Sequence, residues 1–346
     1  MLTGDLDRLV AAEIGAVAPR SVITSAGTWQ PGPPGSAPGT YATPVAFRLA
    51  GGDRAGQLRI ARTLAAALRR ADWVRSATVT GGYVTVTVTP GALAGLAARI
   101  TAAGPACARS TALAGTTVPA PPEPDLAAAA GWADARRRLA AFLTGRLAEV
   151  AGARTFPALP AERNPVPGPG PRRAAGPVAD ALDYAGAGAI RYALARLPPG
   201  APARVDPCHA AGHRTDVPAY AVRYAHAHAV SALRQAADLG LSLGEAAEFG
   251  PRRLAHPSEQ ALLAELSWLP ERVAGAARRA RPDTFPRYLE RLAGAYFDCH
   301  EQCPAVWPGM AVGGPQIAAR LWLAAATATA LRAGLDLLGV DAPARL

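Results

Sequence analysis

Among the 346 residues, six histidines and four cysteines are the side chains best suited to holding a metal or moving a proton. Cys208, His209 and His213 fall in one stretch, and Cys299, His300 and Cys303 in another. Structural zinc needs four such ligands at short, regular intervals. The intervals here are irregular, so free buried thiols are the simpler expectation and no metal is expected. His226 and His228 stand two apart on an expected helix, which turns them to different faces and prevents chelation. Asp298 and Asp336 lack a second carboxylate at a spacing suited to acid–base work, and no Ser/His/Asp set occurs in motif context.

The charge is more informative. The net charge is +10, and every one of the 36 basic residues is arginine. A GC-rich coding bias accounts for the joint surplus of Arg, Ala, Gly and Pro. Whatever its origin, a chain without lysine has no Walker-type phosphate loop and no Schiff-base lysine. Guanidinium forks instead suit the paired oxygens of an RNA backbone. Arg69/Arg70, Arg136–Arg138, Arg172/Arg173, Arg252/Arg253 and Arg278/Arg279/Arg281 form either a phosphate track or ordinary solvated faces. Trp132, Trp268 and Trp322 sit in apolar helical contexts as core anchors. Trp307, between Pro304 and Pro308, is the tryptophan placed to meet a base or a partner.

The elements that must position these groups follow from periodicity. Leu2, Leu6, Leu9, Val10 and Ile14 share one helical face over residues 2–17. A short extended run is expected at Val22–Thr24, a Pro/Gly loop at 31–39, and helices over 41–50 and 55–71, the second with Ile60, Leu64 and Leu68 in line. Val74–Thr80 and Tyr83–Thr89 flank Gly81-Gly82, and Val84, Val86 and Val88 alternate with threonines, a hairpin signal. A helix over 91–102 closes an α+β domain, 1–103. The connector, 104–177, is rich in Ala and Pro, with one helix near 126–150 and a linker from Phe156 to Pro177. From 178 to 346 the reading is an all-α bundle, with helices over 178–196, 217–239, 257–280, 283–301 and 315–338, the last stopped at Gly339. The longest apolar run, Leu321–Leu331, is closed by Arg320 and Arg332, so no membrane is expected, and a cytoplasmic protein is.

Four blocks of the bundle carry a resemblance to a known family. They are Pro218–Ala236 (PAYAVRYAHAHAVSALRQA), His256–Ala277, Pro286–Val306 and Ala319–Leu346. In this order they resemble the DALR anticodon-binding domain of arginyl-tRNA synthetases. Pro218, Tyr220, Tyr224, Ala225, His226 and Ala227 match the family's opening string. Arg223 stands where glutamine is usual, and His228 where arginine is usual. Gly39–Ala46 is similar to the Gly-acid-Tyr-Ala-Thr-Asn string of the family's added N-terminal domain, with Thr40 for the acid and Pro44 for the asparagine. The resemblance implies RNA contact by Tyr41, Thr43, Tyr220, Arg223, Tyr224, His226, His228, Trp307, Arg320, Arg332 and Arg345. It implies tRNA, an arginine isoacceptor, as partner, gripped at the elbow and the anticodon; for this chain, which lacks the family's ATP-binding motifs, no cofactor is expected.

Between these parts the family carries a Rossmann-type catalytic domain with a paired-histidine motif and a lysine motif that stabilise developing phosphate charge. Here the resemblance resumes at Val178, and the preceding stretch from Arg163 to Pro177 holds neither lysine nor serine. The connector is also too short for a nucleotide-binding domain of the usual size. A non-catalytic tRNA-binding protein is the expectation. The alternatives are a regulatory or interaction module, partnered by another synthetase or translation protein, and an arginine–tRNA ligase using an unrecognised site.

Overall fold

The computed structural model describes residues 2–15, 29–158, 176–244, 249–306 and 314–346. Val22–Thr24, residues 159–175 of the expected linker, and Trp307 lie outside these. Contacts divide the chain into two compact units. The first is Met1–Ala112, Ala229–Glu271 and Gly294–Ala330; the second is Leu113–His228, Arg272–Ala293 and Leu331–Leu346.

The N-terminal region begins with helix α1 (Leu2–Gly15), then β1 (Gln30–Pro31) and β2 (Thr40–Thr43). Helices α2 (Val45–Ala50) and α3 (Arg54–Leu68) precede strands β3 (Val74–Thr80) and β4 (Tyr83–Val88), and α4 (Pro90–Ala94) and α5 (Leu96–Ala103) follow. The sheet order is β1-β2-β4-β3, antiparallel throughout. Gly81 and Gly82 turn the hairpin with φ of 58° and 88°, the left-handed pair that a tight twisted hairpin requires. Val84, Val86 and Val88 point inward and are buried, each burial stabilising by about 1.5–3 kcal/mol. The expected helix over 41–50 starts only at Val45. Pro44 disfavours a helical Thr43, and Thr40–Thr43 pairs with β4 instead. Asp53 caps α3 by accepting from the amides of Ala55 and Gly56, both at 3.0 Å.

The connector contains more structure than its composition announces. Strands β5 (Thr117–Ala120) and β6 (Arg154–Pro157) pair in parallel across helix α6 (Trp132–Val150), a small βαβ unit. Gly145 permits the close approach, since a Cβ there would lie 2.9 Å from the backbone of Ala120. Phe156 and Pro157, expected to open a linker, thus belong to β6. Leu139, Leu143 and Leu147 of α6 are buried. At the start of α6 the Asp134 carboxylate accepts from the Ala130 amide at 3.1 Å and pairs with Arg138 at 2.7 Å and with Arg137.

The regular elements among the remaining described residues are helices: α7 (Pro177–Ala185), α8 (Ala187–Arg196), α9 (Pro207–Ala210), α10 (Pro218–Asp238), α11 (Pro257–Ser267), α12 (Leu269–Arg278), α13 (Thr284–Gln302) and α14 (Pro315–Leu338). Two expected helices are broken. Gly186, at φ 82°, separates α7 from α8. Pro270, which has no amide to donate, separates α11 from α12 at Trp268. Helix α14 is long and apolar enough to cross a membrane, but 83% of its most apolar window is buried, as in a core helix. In the second unit the buried Arg191 lies over Phe142, pairs with Glu123 at 2.8 Å and donates from Nε to the Leu338 carbonyl at 2.5 Å. That bond holds the end of α14 just before Gly339 reverses the chain with φ 68°.

Candidate nucleic-acid interface

The fold gathers part of the expected site into one row. Tyr220, Tyr224 and His228 are four apart on α10, so their rings lie on one helical face. Tyr220 and Tyr224 stack at 5.7 Å with 8° between planes, and His228 meets Tyr224 edge-on at 5.9 Å. His213, from the loop before α10, extends the row by stacking on Tyr220 at 5.6 Å and 17°. All three helix residues are partly exposed and His213 is exposed. Arg223 lies on the same helix, and its Nε is buried without a hydrogen-bond partner among the described residues. Exposed aromatic rows of this kind accept nucleobases by stacking, because every base presents a π-face.

Other expected contacts lie inside the protein. Tyr41 is 1% exposed; its hydroxyl donates to Ser267 Oγ at 2.7 Å, its ring packs on Trp268 at 5.1 Å, and burial pushes its phenol well above the usual range. Thr43, equally buried, accepts from the Val45 amide at 3.3 Å and starts α2. Tyr41 thus ties the sheet to the end of α11, and both side chains are turned away from solvent. Arg320 gives Nε to Glu259 at 2.8 Å and Nη1 to the Pro304 carbonyl at 3.2 Å. Glu259 is fully buried and also accepts from the His256 amide at 3.0 Å, so Arg320 neutralises an internal carboxylate rather than a phosphate.

His226 is also buried, with Nδ1 3.0 Å from the Pro343 carbonyl. A carbonyl only accepts, so Nδ1 carries the proton and the ring anchors the C-terminal tail. Burial lowers the imidazole pKa, the Pro343 bond works against that, Arg332 lowers it and Asp336 raises it. Arg332 and Arg345 are exposed. Of the arginine clusters, Arg136–Arg138 has partners within the protein: Arg136 donates to the carbonyls of Pro198 and Ala201, and the other two, both exposed, pair with Asp134. Arg69 and Arg70 are exposed.

Two groups escaped the sequence reading. His213 was weighed as a metal ligand and belongs to the aromatic row. Phe47 and Tyr83 form an exposed edge-on pair at 5.1 Å in the N-terminal region, each 40% exposed. The hairpin alternation carried the signal for Tyr83, since it falls on the outward face with Thr85 and Thr87. No group of three or more His, Cys, Asp or Glu among the described residues is placed to hold a metal ion.

Comparison with known proteins converges on one family for the C-terminal part. Residues 222–346 match the model of the DALR anticodon binding domain. The chain is 40% identical over 172 residues to an arginine–tRNA ligase of Micrococcus luteus, covering 48% of this chain and 30% of that protein. It is 39% identical over 168 residues to the enzyme of Frankia alni, with the same shares. The match therefore spans about a third of these relatives' length. The arginyl-tRNA synthetase of Thermus thermophilus shares the fold, with a TM-score of 0.69 at 14% identity and the whole of both chains covered. About half of this chain is thus similar in sequence to arginine–tRNA ligases, and residues 222–346 match the DALR anticodon binding domain.

Proposed function

We propose that the protein binds tRNA without catalysing aminoacylation, stacking bases of an anticodon loop on the row His213–Tyr220–Tyr224–His228. The observation that carries this is the near-parallel Tyr220–Tyr224 stack, left partly exposed on a domain homologous to anticodon-binding ones. Arg332 and Arg345, exposed in the same unit, supply phosphate contacts. Phe47 and Tyr83 give the N-terminal region an aromatic surface of its own for a tRNA elbow. An arginine isoacceptor is the partner that the relatives' activity suggests, and the cytoplasm the place.

The non-catalytic reading rests on the chain's chemistry. In βαβ nucleotide sites the helix N-terminus receives a phosphate. The first turn of α6 already carries a carboxylate, Asp134, paired with two arginines, and the chain has no lysine to serve elsewhere. The test is titration of the full chain with tRNA over a range of salt, against an unrelated duplex. Tyr224→Ala should weaken tRNA binding about 5- to 150-fold, the range for loss of one stacked base. Equal affinity for the duplex, or an unchanged Tyr224→Ala, would sink the reading. Detectable ATP–pyrophosphate exchange with arginine would overturn its non-catalytic part.

A further inference from the structure

Beside the aromatic row, the second unit holds a cavity of about 170 Å3 that the row itself does not use. Its walls come from Ala189, Tyr192 and Ala193 of α8, from Val205, and from Val217 at the entry to α10. Tyr192 donates its hydroxyl to the Pro286 carbonyl at 3.0 Å, so the walls present little that is polar. Sites for drug-sized ligands run to about 300–1,000 Å3. This one suits a single flat ring system rather than a whole nucleotide.

The mouth is charged, and the charges are not equivalent. Arg196 gives its Nε to Glu290 at 2.7 Å, and Asp206 spends a carboxylate oxygen on the Cys208 amide at 3.0 Å. Arg204 and His209 are exposed at the rim. The same short stretch that brings Asp206 and His209 to the rim continues to His213, the first ring of the row. Val217, Pro218 and Ala219 line the cavity, and the next residue, Tyr220, is the second ring. The cavity and the row are therefore adjacent along the chain.

We infer that the cavity receives one unstacked nucleobase of a single-stranded RNA segment running along the row, with the adjoining phosphate on Arg204. The inference rests on the RNA reading above and adds a second, shape-selecting subsite to it. Bases taken out of the stack are held this way, between apolar and aromatic walls with a cation at the backbone.

The test uses the full chain and a seven-nucleotide single-stranded RNA carrying one 4-thiouridine, moved through the positions in turn. Irradiation should crosslink one position to the tryptic peptide Tyr192–Arg196. Ala193→Phe fills the cavity from a partly exposed position, and should abolish that crosslink and weaken binding about tenfold. Arg204→Ala, on the exposed rim, should keep the fold and flatten the salt dependence of binding by about 0.7, one single-strand phosphate. Crosslinks that map only outside the cavity would overturn the inference, as would wild-type affinity in Ala193→Phe. If Tyr224→Ala is weakened in the same assay, the RNA reading survives that loss. A wild-type chain that binds neither this RNA nor tRNA would remove both.

Discussion

Arg320→Met separates the two roles open to this arginine. As an RNA ligand, its loss would weaken binding and reduce the salt slope by about one phosphate while leaving the fold untouched. The structure assigns it to Glu259, whose side chain is 0% exposed while that of Arg320 is 19% exposed. Removing one partner of a buried pair costs about 3–5 kcal/mol, because the other charge is left in a poor solvent. The lower end applies, since Glu259 keeps the His256 amide and water reaches the vacated site. With a urea slope of about 3 kcal/mol per molar, a loss of about 3 kcal/mol lowers the midpoint by about 1 M. Glu259→Gln preserves the shape and strands a charge that water already touches, so it should cost about 1–2 kcal/mol. The double variant Glu259→Met/Arg320→Met should cost less than the sum of the single changes. Urea unfolding followed by far-ultraviolet circular dichroism reads all three. An unchanged midpoint in Arg320→Met, together with weaker RNA binding, would refute the internal role.

Three further outcomes follow from burial. The folded-state pKa of His226 is lowered, so the unfolded chain binds more protons as pH falls below about 6.5. Stability should therefore be full above that pH and decline below it towards the lowered value, and His226→Gln should flatten this part of the profile in thermal melts. Cys208 is exposed, whereas Cys107, Cys299 and Cys303 are buried and burial pushes the thiols of Cys107 and Cys299 to about 12. A thiol reagent at neutral pH should titrate one cysteine quickly in the native protein and all four in denaturant. Tyr41→Phe should cost about 0.5–1.5 kcal/mol through the lost Ser267 bond and leave RNA affinity unchanged; a selective loss of RNA binding would return Tyr41 to the interface.

The hairpin was legible because its signal is local: two glycines between runs whose valines all face one way. Strand β2 was not. Four residues are too few to show a period, and the partner strand that makes them extended begins some forty positions later. Strands β5 and β6 each contain a proline and pair in parallel, so neither composition nor a turn marks them. The breaks at Gly186 and at Trp268–Pro270 leave the apolar spacing almost undisturbed, which is why single helices were expected there. At the site, the four-residue spacing of Tyr220, Tyr224 and His228 was readable, but which helix face meets solvent is a property of the packed unit. His226, two residues from Tyr224 in the same string, turns inward to the tail. Arg320 resembles a phosphate ligand until Glu259, sixty-one residues earlier, is placed beside it.

The anchoring of the C-terminal tail sets a mechanical order. Pulled from Leu346, the chain carries load inward towards Pro343, over residues that span at most about 3.6 Å each. There the His226 imidazole holds the Pro343 carbonyl. Once that bond yields, tension passes to the turn closed by the Val340 amide on the Leu335 carbonyl, and then to Arg191 on Leu338. The grips fail one after another rather than together. A tether on the C-terminus should therefore peel the tail in short steps, at low force, before it draws on the helices beneath.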